Sequence, residues 1–146
     1  MALEKTYYSK RIILRNRIEE LDRMVMFLEE IGQDLDLSVE VAFNIHLALE
    51  EAVTNVIMYA YPKDEEHDIE VTVSGDDNGL TFKIIDSGNE FDPTLQPDAD
   101  VTLPLEDRPI GGLGIFLIRK MMEKVQYSRV EGKNILALTK DLKREM

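Results

Sequence analysis

The sequence predicts an α+β fold, a two-layer sandwich in which a mixed, mostly antiparallel sheet carries helices on one face. Apolar residues alternate with polar ones in residues 69–73 and 80–84, and the turn Asp77-Asn78-Gly79 between them is typical of a hairpin, because Asn-Gly tolerates positive φ. The strict strand–helix alternation of a doubly wound parallel sheet is missing. With 146 residues the chain is long enough for a core of its own, and we expect a single domain over residues 1–146.

The first half of the chain predicts one strand and two helices. Residues 6–14 mix aromatic and β-branched side chains, which is typical of a strand, here at a sheet edge. Asn16 and Glu19 have the spacing of a capping box and predict a first amphipathic helix that runs to about residue 32. A second helix is predicted from a cap at Ser38 to about residue 61, where a proline follows.

The second half predicts a long loop, a third helix and a final hairpin. Residues 92–111 hold four of the five prolines and show no periodicity. A loop of that length inside a compact domain is usually functional, so we expect a lid over a ligand. Residues 112–122 predict the helix, and residues 125–130 pair with residues 134–140 across Glu131-Gly132-Lys133.

Composition excludes several classes of protein. The chain has no cysteine, which removes thiol catalysis, disulfides and cysteine zinc sites and fits a cytoplasmic protein. The first residues lack the pattern of a secretory signal, and no stretch approaches the roughly 20 apolar residues that span a bilayer. The formal net charge of −12 repels phosphate backbones and anionic lipids, so we expect no direct nucleic-acid or membrane binding. The acidity indicates solubility or a partner with a basic face.

The second predicted helix carries a carboxylate and an amide one turn apart. Glu51 and Asn55 share a line beside the apolar stripe of that helix. An amide oxygen suits Mg²⁺ when phosphate oxygens and waters complete its shell, and the carboxylate can accept a proton from an incoming hydroxyl. Taken alone, the pair is better explained by a solvated polar edge. Glu50 and His46 point elsewhere and are expected at the surface, and His67, in a charged loop, is expected to be solvated.

Two further motifs extend this chemistry. Asp86 ends an apolar strand, where its carboxylate can accept the exocyclic amine of adenine, and Gly88 would let the ring approach the backbone. The run Gly111-Gly112-Leu113-Gly114 opens the third helix and offers free N–H groups to anionic oxygens. Each motif alone is weak, but the three in series predict a nucleotide site. A Gly-x-x-x-x-Gly-Lys-Ser/Thr phosphate loop is missing, so the nucleotide would be bound by a different route.

With these motifs in this order, the chain resembles the GHKL (Bergerat-fold) ATPase superfamily, and within it the anti-sigma-factor serine/threonine kinases of bacteria. Residues 51–55 match the N-box of that family, residues 86–93 its first glycine box and residues 112–114 its second. Two features depart from the family pattern: Tyr59 stands where a histidine is common, and the lid is longer, with Arg108 able to reach a terminal phosphate or to pair with a neighbouring acid.

The resemblance implies a role for each matched residue. Glu51 would be the general base, Asn55 the Mg²⁺ ligand, and Asp86 the residue that reads adenine with support from Thr139. The other nucleotide contacts would come from Gly88 and from the loop of Gly111, Gly112, Leu113, Gly114 and Ile115.

The resemblance also implies cofactors and partners. ATP and Mg²⁺ would be used to phosphorylate a serine on a STAS-type antagonist, and a sigma factor would be bound and kept from the polymerase. Arg23 falls where the family has an arginine that touches both partners, and family members commonly form homodimers. Two alternatives stay open: a nucleotide-binding regulatory module that sequesters a partner without kinase turnover, and an interaction domain that has lost the nucleotide.

Overall fold

The computed structural model describes residues 7–95 and 112–142. The strands are β1 (Tyr8–Arg15), β2 (Asp68–Gly75), β3 (Gly79–Asp86), β4 (Lys124–Val130) and β5 (Lys133–Asp141), and the helices are α1 (Leu21–Asp34), α2 (Val39–Tyr59) and α3 (Gly112–Met121). The strands form one sheet in the order β1-β2-β3-β5-β4, with antiparallel pairing throughout the described strands. The predicted α+β sandwich is confirmed. None of the helices within these two ranges is both long and apolar enough to cross a membrane.

One face of the sheet and three helices enclose the core. Burial alternates along β2 and β5, as a strand with one covered face requires. Phe82 and Leu138 are fully buried on the sheet side and belong to the same core cluster as Leu49 and Val53 of α2. Each such side chain contributes about 1.5–3 kcal/mol by leaving water. The middle helix is α2, which contacts α1 on one side and α3 on the other, so its polar residues face protein as well as solvent.

The start of α1 differs from the prediction. Asn16 caps no helix; its Nδ2 donates to the Glu65 carbonyl oxygen at 2.8 Å, and its Oδ1 accepts from the His67 N–H at 2.8 Å. The residue therefore joins the end of β1 to the loop before β2, and α1 begins only at Leu21, after a 3₁₀ turn. An asparagine that can satisfy backbone groups elsewhere need not cap the nearest helix. The predicted cap of α2 is confirmed, since Ser38 Oγ accepts from the Val41 N–H at 3.2 Å.

Both predicted hairpins form, but the turn before β3 lacks the positive φ that its Asn-Gly pair predicted. Positive φ occurs at Glu131 (50°) and Gly132 (80°), in the two-residue turn between β4 and β5, and not at Asn78 or Gly79. The turn before β3 is closed instead by Asp76, whose Oδ1 accepts the N–H groups of residues 78 and 79. Gly79 is required there by packing, because a β-carbon would lie 2.2 Å from the carbonyl oxygen of Lys140.

Candidate functional site

A cleft opens between α2 and the end of the sheet formed by β3, β5 and β4. The space inside it, counted together with the open solvent at its mouth, is about 400 Å³. Apolar side chains such as Val56, Ile84 and Leu136 form its walls, and polar groups of Asn55 and Asp86 enter it. Folding therefore brings the amide of the first motif and the carboxylate of the second into one cavity.

Glu51 and Asn55 meet the beginning of α3. A β-carbon on Gly114 would lie 3.0 Å from Glu51 Oε2 and 3.5 Å from Asn55 Nδ2, so the glycine lets α3 approach both side chains. The solvated polar edge considered from the sequence is wrong, because Glu51 is half-buried between two helices. This burial, and then the charge of Glu50, raises the pKa of the Glu51 carboxyl. A carboxylate with a raised pKa is a better proton acceptor near neutral pH.

Asp86 ends β3 with its side chain buried at the base of the cleft. Its Oδ1 accepts two hydrogen bonds, from the Gly88 N–H at 2.9 Å and from Asn134 Nδ2 at 2.9 Å. Its Oδ2 has no hydrogen-bond partner among the residues that the structure describes. In that part of the chain every buried side-chain oxygen has a hydrogen-bond partner. Because Oδ2 has none, it is not buried and lies open to the cleft. One carboxylate oxygen is thus fixed by the protein, and the other is available to a ligand.

Thr139 does not support Asp86, and this prediction is wrong. In the pairing of β3 with β5, Thr139 lies opposite Thr81, and the two Oγ1 atoms are 3.5 Å apart. The residue opposite Asp86 is Asn134, five positions earlier on β5. The sequence does carry a signal for Asn134: it is a polar residue in the inward-facing series of β5 that continues with Leu136 and Leu138.

Gly88 owes its identity to the approach of α2. A β-carbon at Gly88 would lie 2.3 Å from the carbonyl oxygen of Ala60, the residue that follows α2, and Asn89 N–H donates to that same oxygen at 2.9 Å. The predicted reason, close approach of a purine ring, is therefore not the one that the packing shows. We name residues 87–93 the strap, because this segment closes one side of the cleft through Phe91 and Pro93.

The strap is also held by an aromatic pair. Tyr61 Oη accepts a hydrogen bond of 2.7 Å from the Ser87 N–H, next to Asp86. His67 stacks on the Tyr61 ring, with 4.1 Å between ring centroids and 11° between planes, and its Nε2 lies 2.8 Å from Glu65 Oε1. The side chain of His67 is 37% exposed, as expected for a solvated residue, but it is also held by this stack and by Glu65. The burial of Tyr61 raises the pKa of its hydroxyl, which stays protonated at neutral pH.

The third motif lies only partly within the described residues. Gly111, Arg108 and residues 96–111 of the predicted lid lie outside them. Gly112 and Leu113 begin α3. Ile115 is buried in the core, so its side chain serves packing and only its backbone could reach a ligand. The N-terminal end of α3 thus lies beside Asn55, where the helix dipole favours negative charge.

The donor groups at the cleft suit a metal that a ligand helps to hold. Within residues 7–95 and 112–142, no group of three or more histidine, aspartate or glutamate side chains could bind a metal by itself. Mg²⁺ commonly takes one or two protein oxygens and completes its octahedron with phosphates and waters. Asn55 supplies one such oxygen at the cleft, which fits a shared site of this kind.

Arg23 lies on α1, away from the cleft. Its Nη1 donates to the Ile13 carbonyl oxygen at 3.2 Å and to Glu20 Oε1 at 3.0 Å, while the side chain is 53% exposed. The pKa of Glu20 is lowered, chiefly by the backbone N–H of Arg15; burial opposes this effect, and Arg23 adds smaller lowering effects. His46 stands at the surface with Nε2 3.4 Å from Glu50 Oε2, as expected.

Comparison with known proteins identifies the fold family. A family model described as a histidine kinase-like ATPase domain matches residues 14–140. The chain belongs to this family. The predicted relationship to the GHKL ATPases is confirmed.

Several relatives of this histidine kinase-like ATPase domain are protein kinases. The chain is 29% identical over 113 residues to the serine/threonine-protein kinase BtrW of Bordetella bronchiseptica, covering 77% of this chain and 80% of that protein. It is 32% identical over 106 residues to the serine-protein kinase RsbW of Bacillus cereus, covering 70% of this chain and 65% of the relative. These relatives confirm the predicted enzyme class, a serine/threonine kinase built on an ATPase domain.

A solved structure shows the same fold. The RsbU and RsbW domains of a Mycobacterium tuberculosis protein match with a TM-score of 0.68 at 17% identity, covering 94% of this chain and 33% of that one. At this identity the likeness supports the architecture alone.

Proposed function

We propose that the protein is an ATP-dependent protein serine kinase that acts as an anti-sigma factor, binding a sigma factor and phosphorylating a serine on a STAS-type antagonist. One observation carries the proposal: the cleft that Asp86 and Asn55 line extends to a junction where Glu51 and Asn55 meet the first turn of α3. This arrangement brings together, in one site, a carboxylate that can recognise a nucleobase, a metal ligand, a proton acceptor and a helix end that can bind an anion.

Each group has a task that its surroundings support. The open Oδ2 of Asp86 accepts an N–H from the adenine amine, and the apolar walls of the cleft cover the ring. Asn55 would hold Mg²⁺, which would supply neutralisation of the phosphate charge. Glu51 takes the proton of the substrate serine. Phosphoryl transfer needs little covalent help from protein, so positioning and charge neutralisation supply most of the catalysis.

Transfer of labelled phosphate tests this function directly. Incubation with γ-labelled ATP, Mg²⁺ and a STAS-domain protein from the same genome should label a serine on that protein. Adding EDTA should abolish the labelling, since Asn55 cannot bind the phosphates without the cation. ADP binding without labelling of any STAS-domain protein would contradict kinase turnover and favour the sequestering module. Failure to bind ADP at all would contradict the nucleotide site itself.

We propose that the surface around Arg23 binds the partners. Two exposed apolar residues lie near this arginine: Ile13, 41% exposed, whose carbonyl Arg23 contacts, and Met26, 65% exposed, three residues further along α1. Apolar groups around an arginine are typical of interface centres. The sigma factor and the antagonist would both meet this surface, and the protein would act as a homodimer, as the resemblance implies.

Replacing Arg23 with alanine should weaken binding of the sigma factor or the antagonist about tenfold or more while ADP affinity stays unchanged. Among the described residues, Arg23 donates hydrogen bonds only to Ile13 and Glu20, and it does not line the cleft, so nucleotide binding has no reason to change. Lys83→Ala is the matched control, because it removes one positive charge from an exposed position on β3. Equal losses of partner affinity in both variants would show a general charge effect and contradict the assignment.

A further inference from the structure

Asn134, at the cleft, has an amide group whose hydrogen-bonding positions are all occupied. It is buried, with 5% of its surface exposed. Its Nδ2 donates to Asp86 Oδ1 at 2.9 Å and to the Asn89 carbonyl oxygen at 2.8 Å. Its Oδ1 accepts from Tyr127 Oη at 2.5 Å and from Arg129 Nη1 at 2.9 Å. Both amide hydrogens and both lone-pair positions are therefore used.

The chemistry of these partners fixes which way the amide points. The carboxylate of Asp86 and the carbonyl of Asn89 accept from Nδ2, and a guanidinium such as Arg129 can only donate. A rotation of the amide by 180° would place its oxygen against two acceptors and its NH₂ against a donor. The side chain thus has one orientation, in which an N–H is directed at Asp86.

This orientation determines what Asp86 offers to a ligand. Two N–H donors, from Gly88 and Asn134, occupy Oδ1, so Oδ2 is the oxygen that meets the ligand, and it meets it as an acceptor. A hydrogen-bond acceptor at the bottom of the cleft favours a nucleobase whose edge carries an amino group. The same acceptor disfavours a nucleobase with a carbonyl oxygen at that edge, because two acceptors would then face each other without the water molecules that had hydrogen-bonded to them.

We infer that Asn134 is the positioning residue that holds Asp86 as a pure acceptor and so makes the cleft select amino-bearing purines over their carbonyl counterparts. The inference rests on the proposed nucleotide site and assigns its base preference to a residue of β5. Arg129 extends the arrangement, because the same Nη1 also donates to the Gly88 carbonyl oxygen at 2.9 Å and joins the β4–β5 hairpin to the strap.

The test replaces the amide by a carboxyl group of nearly the same shape. Asn134→Asp keeps acceptors for Tyr127 and Arg129 but places a second carboxyl beside Asp86. Two carboxyl groups at hydrogen-bond distance share a proton. The other titratable or charged groups around this position are Tyr127 and Arg129 on β4 and Glu90 in the strap.

Calorimetry with ADP and with inosine diphosphate, whose base carries a carbonyl in place of the amino group, measures the effect. The wild type should bind ADP at least about tenfold more tightly than inosine diphosphate at both about pH 6 and about pH 8. In Asn134→Asp that ratio should fall several-fold, and further at the lower pH, because a shared proton lets the pair donate to a carbonyl. A merely structural loss would weaken both ligands alike and leave the ratio unchanged.

Two further variants keep the result interpretable. Gln126→Glu makes the same change from amide to carboxyl at an exposed side chain on β4, outside this network, and should keep the wild-type ratio. If Asn134→Asp does not fold, Asn134→Leu, which removes the donor without adding charge, should also reduce the ratio. An unchanged ratio in the Asn134 variants, with ADP still bound, would overturn the inference and leave the nucleotide site standing. Failure of the wild type to bind ADP would overturn both.

Discussion

Replacing Glu51 with glutamine is expected to reduce the rate of phosphoryl transfer about 10²–10⁴-fold, while ADP affinity stays within about twofold of the wild type. Glutamine keeps the size of the side chain and its packing against Gly114, where Oε2 lies 3.0 Å from the position of a β-carbon. It cannot accept the serine proton. Labelled-phosphate transfer and calorimetry on the same preparation measure the two effects separately. Undiminished transfer would remove Glu51 from the role of base.

The raised pKa of Glu51 gives this prediction a pH signature. The base acts only when ionised, so the rate of transfer should fall as pH decreases through a value above the ordinary glutamate pKa of 4.5. Glu50→Gln is the matched control at the neighbouring position. It removes the second cause of the shift, so transfer should persist and the acid limb of its pH profile should move to lower pH. A limb that stays in place would show that Glu50 has no influence on the base.

Replacing Gly88 with alanine is expected to lower the free energy of unfolding by about 3 kcal/mol or more and to abolish ADP binding. The added methyl would overlap the Ala60 carbonyl oxygen at 2.3 Å, and neither backbone can move without displacing Asp86 or the end of α2. Chemical denaturation measures the first effect, and calorimetry at a temperature where the variant is folded measures the second.

Gly32 provides the control for this substitution. It lies within α1, and a β-carbon there would meet nothing within 4 Å. Gly32→Ala should therefore leave ADP binding unchanged and raise the free energy of unfolding by up to about 1 kcal/mol, because alanine loses less entropy in a helix. Equal stability of the two variants would contradict the close packing of the strap against α2.

Local sequence patterns predicted most of the elements of this fold. Alternation predicted the strands, helical spacing predicted the helices, and Ser38 capped α2 as expected. The errors arose where a distant partner decided the outcome. Asn16 has the local spacing of a cap, but the loop at residues 65–67 supplies better hydrogen-bond partners. Gly79 is required by the backbone of Lys140, which no local pattern reveals.

At the candidate site, too, local patterns predicted part of the arrangement and contacts between distant residues decided the rest. Helix periodicity placed Glu51 and Asn55 together, but only the packing of α3 through Gly114 distinguishes them from a solvated edge. The partner of Asp86 depends on the register between β3 and β5, which joins residues 48 positions apart in the chain. Register of this kind is set by the whole sheet, so the resemblance implied Thr139 at the place where Asn134 lies.

The stack of His67 on Tyr61 gives the chain a built-in spectroscopic probe. The chain has only two histidines, and the other, His46, lies on α2 beside Glu50. Ring current from Tyr61, 4.1 Å away, separates the imidazole resonances of His67 from those of His46. Because the same tyrosine holds the backbone of Ser87, a nuclear magnetic resonance titration can follow movement at Asp86 without any added label.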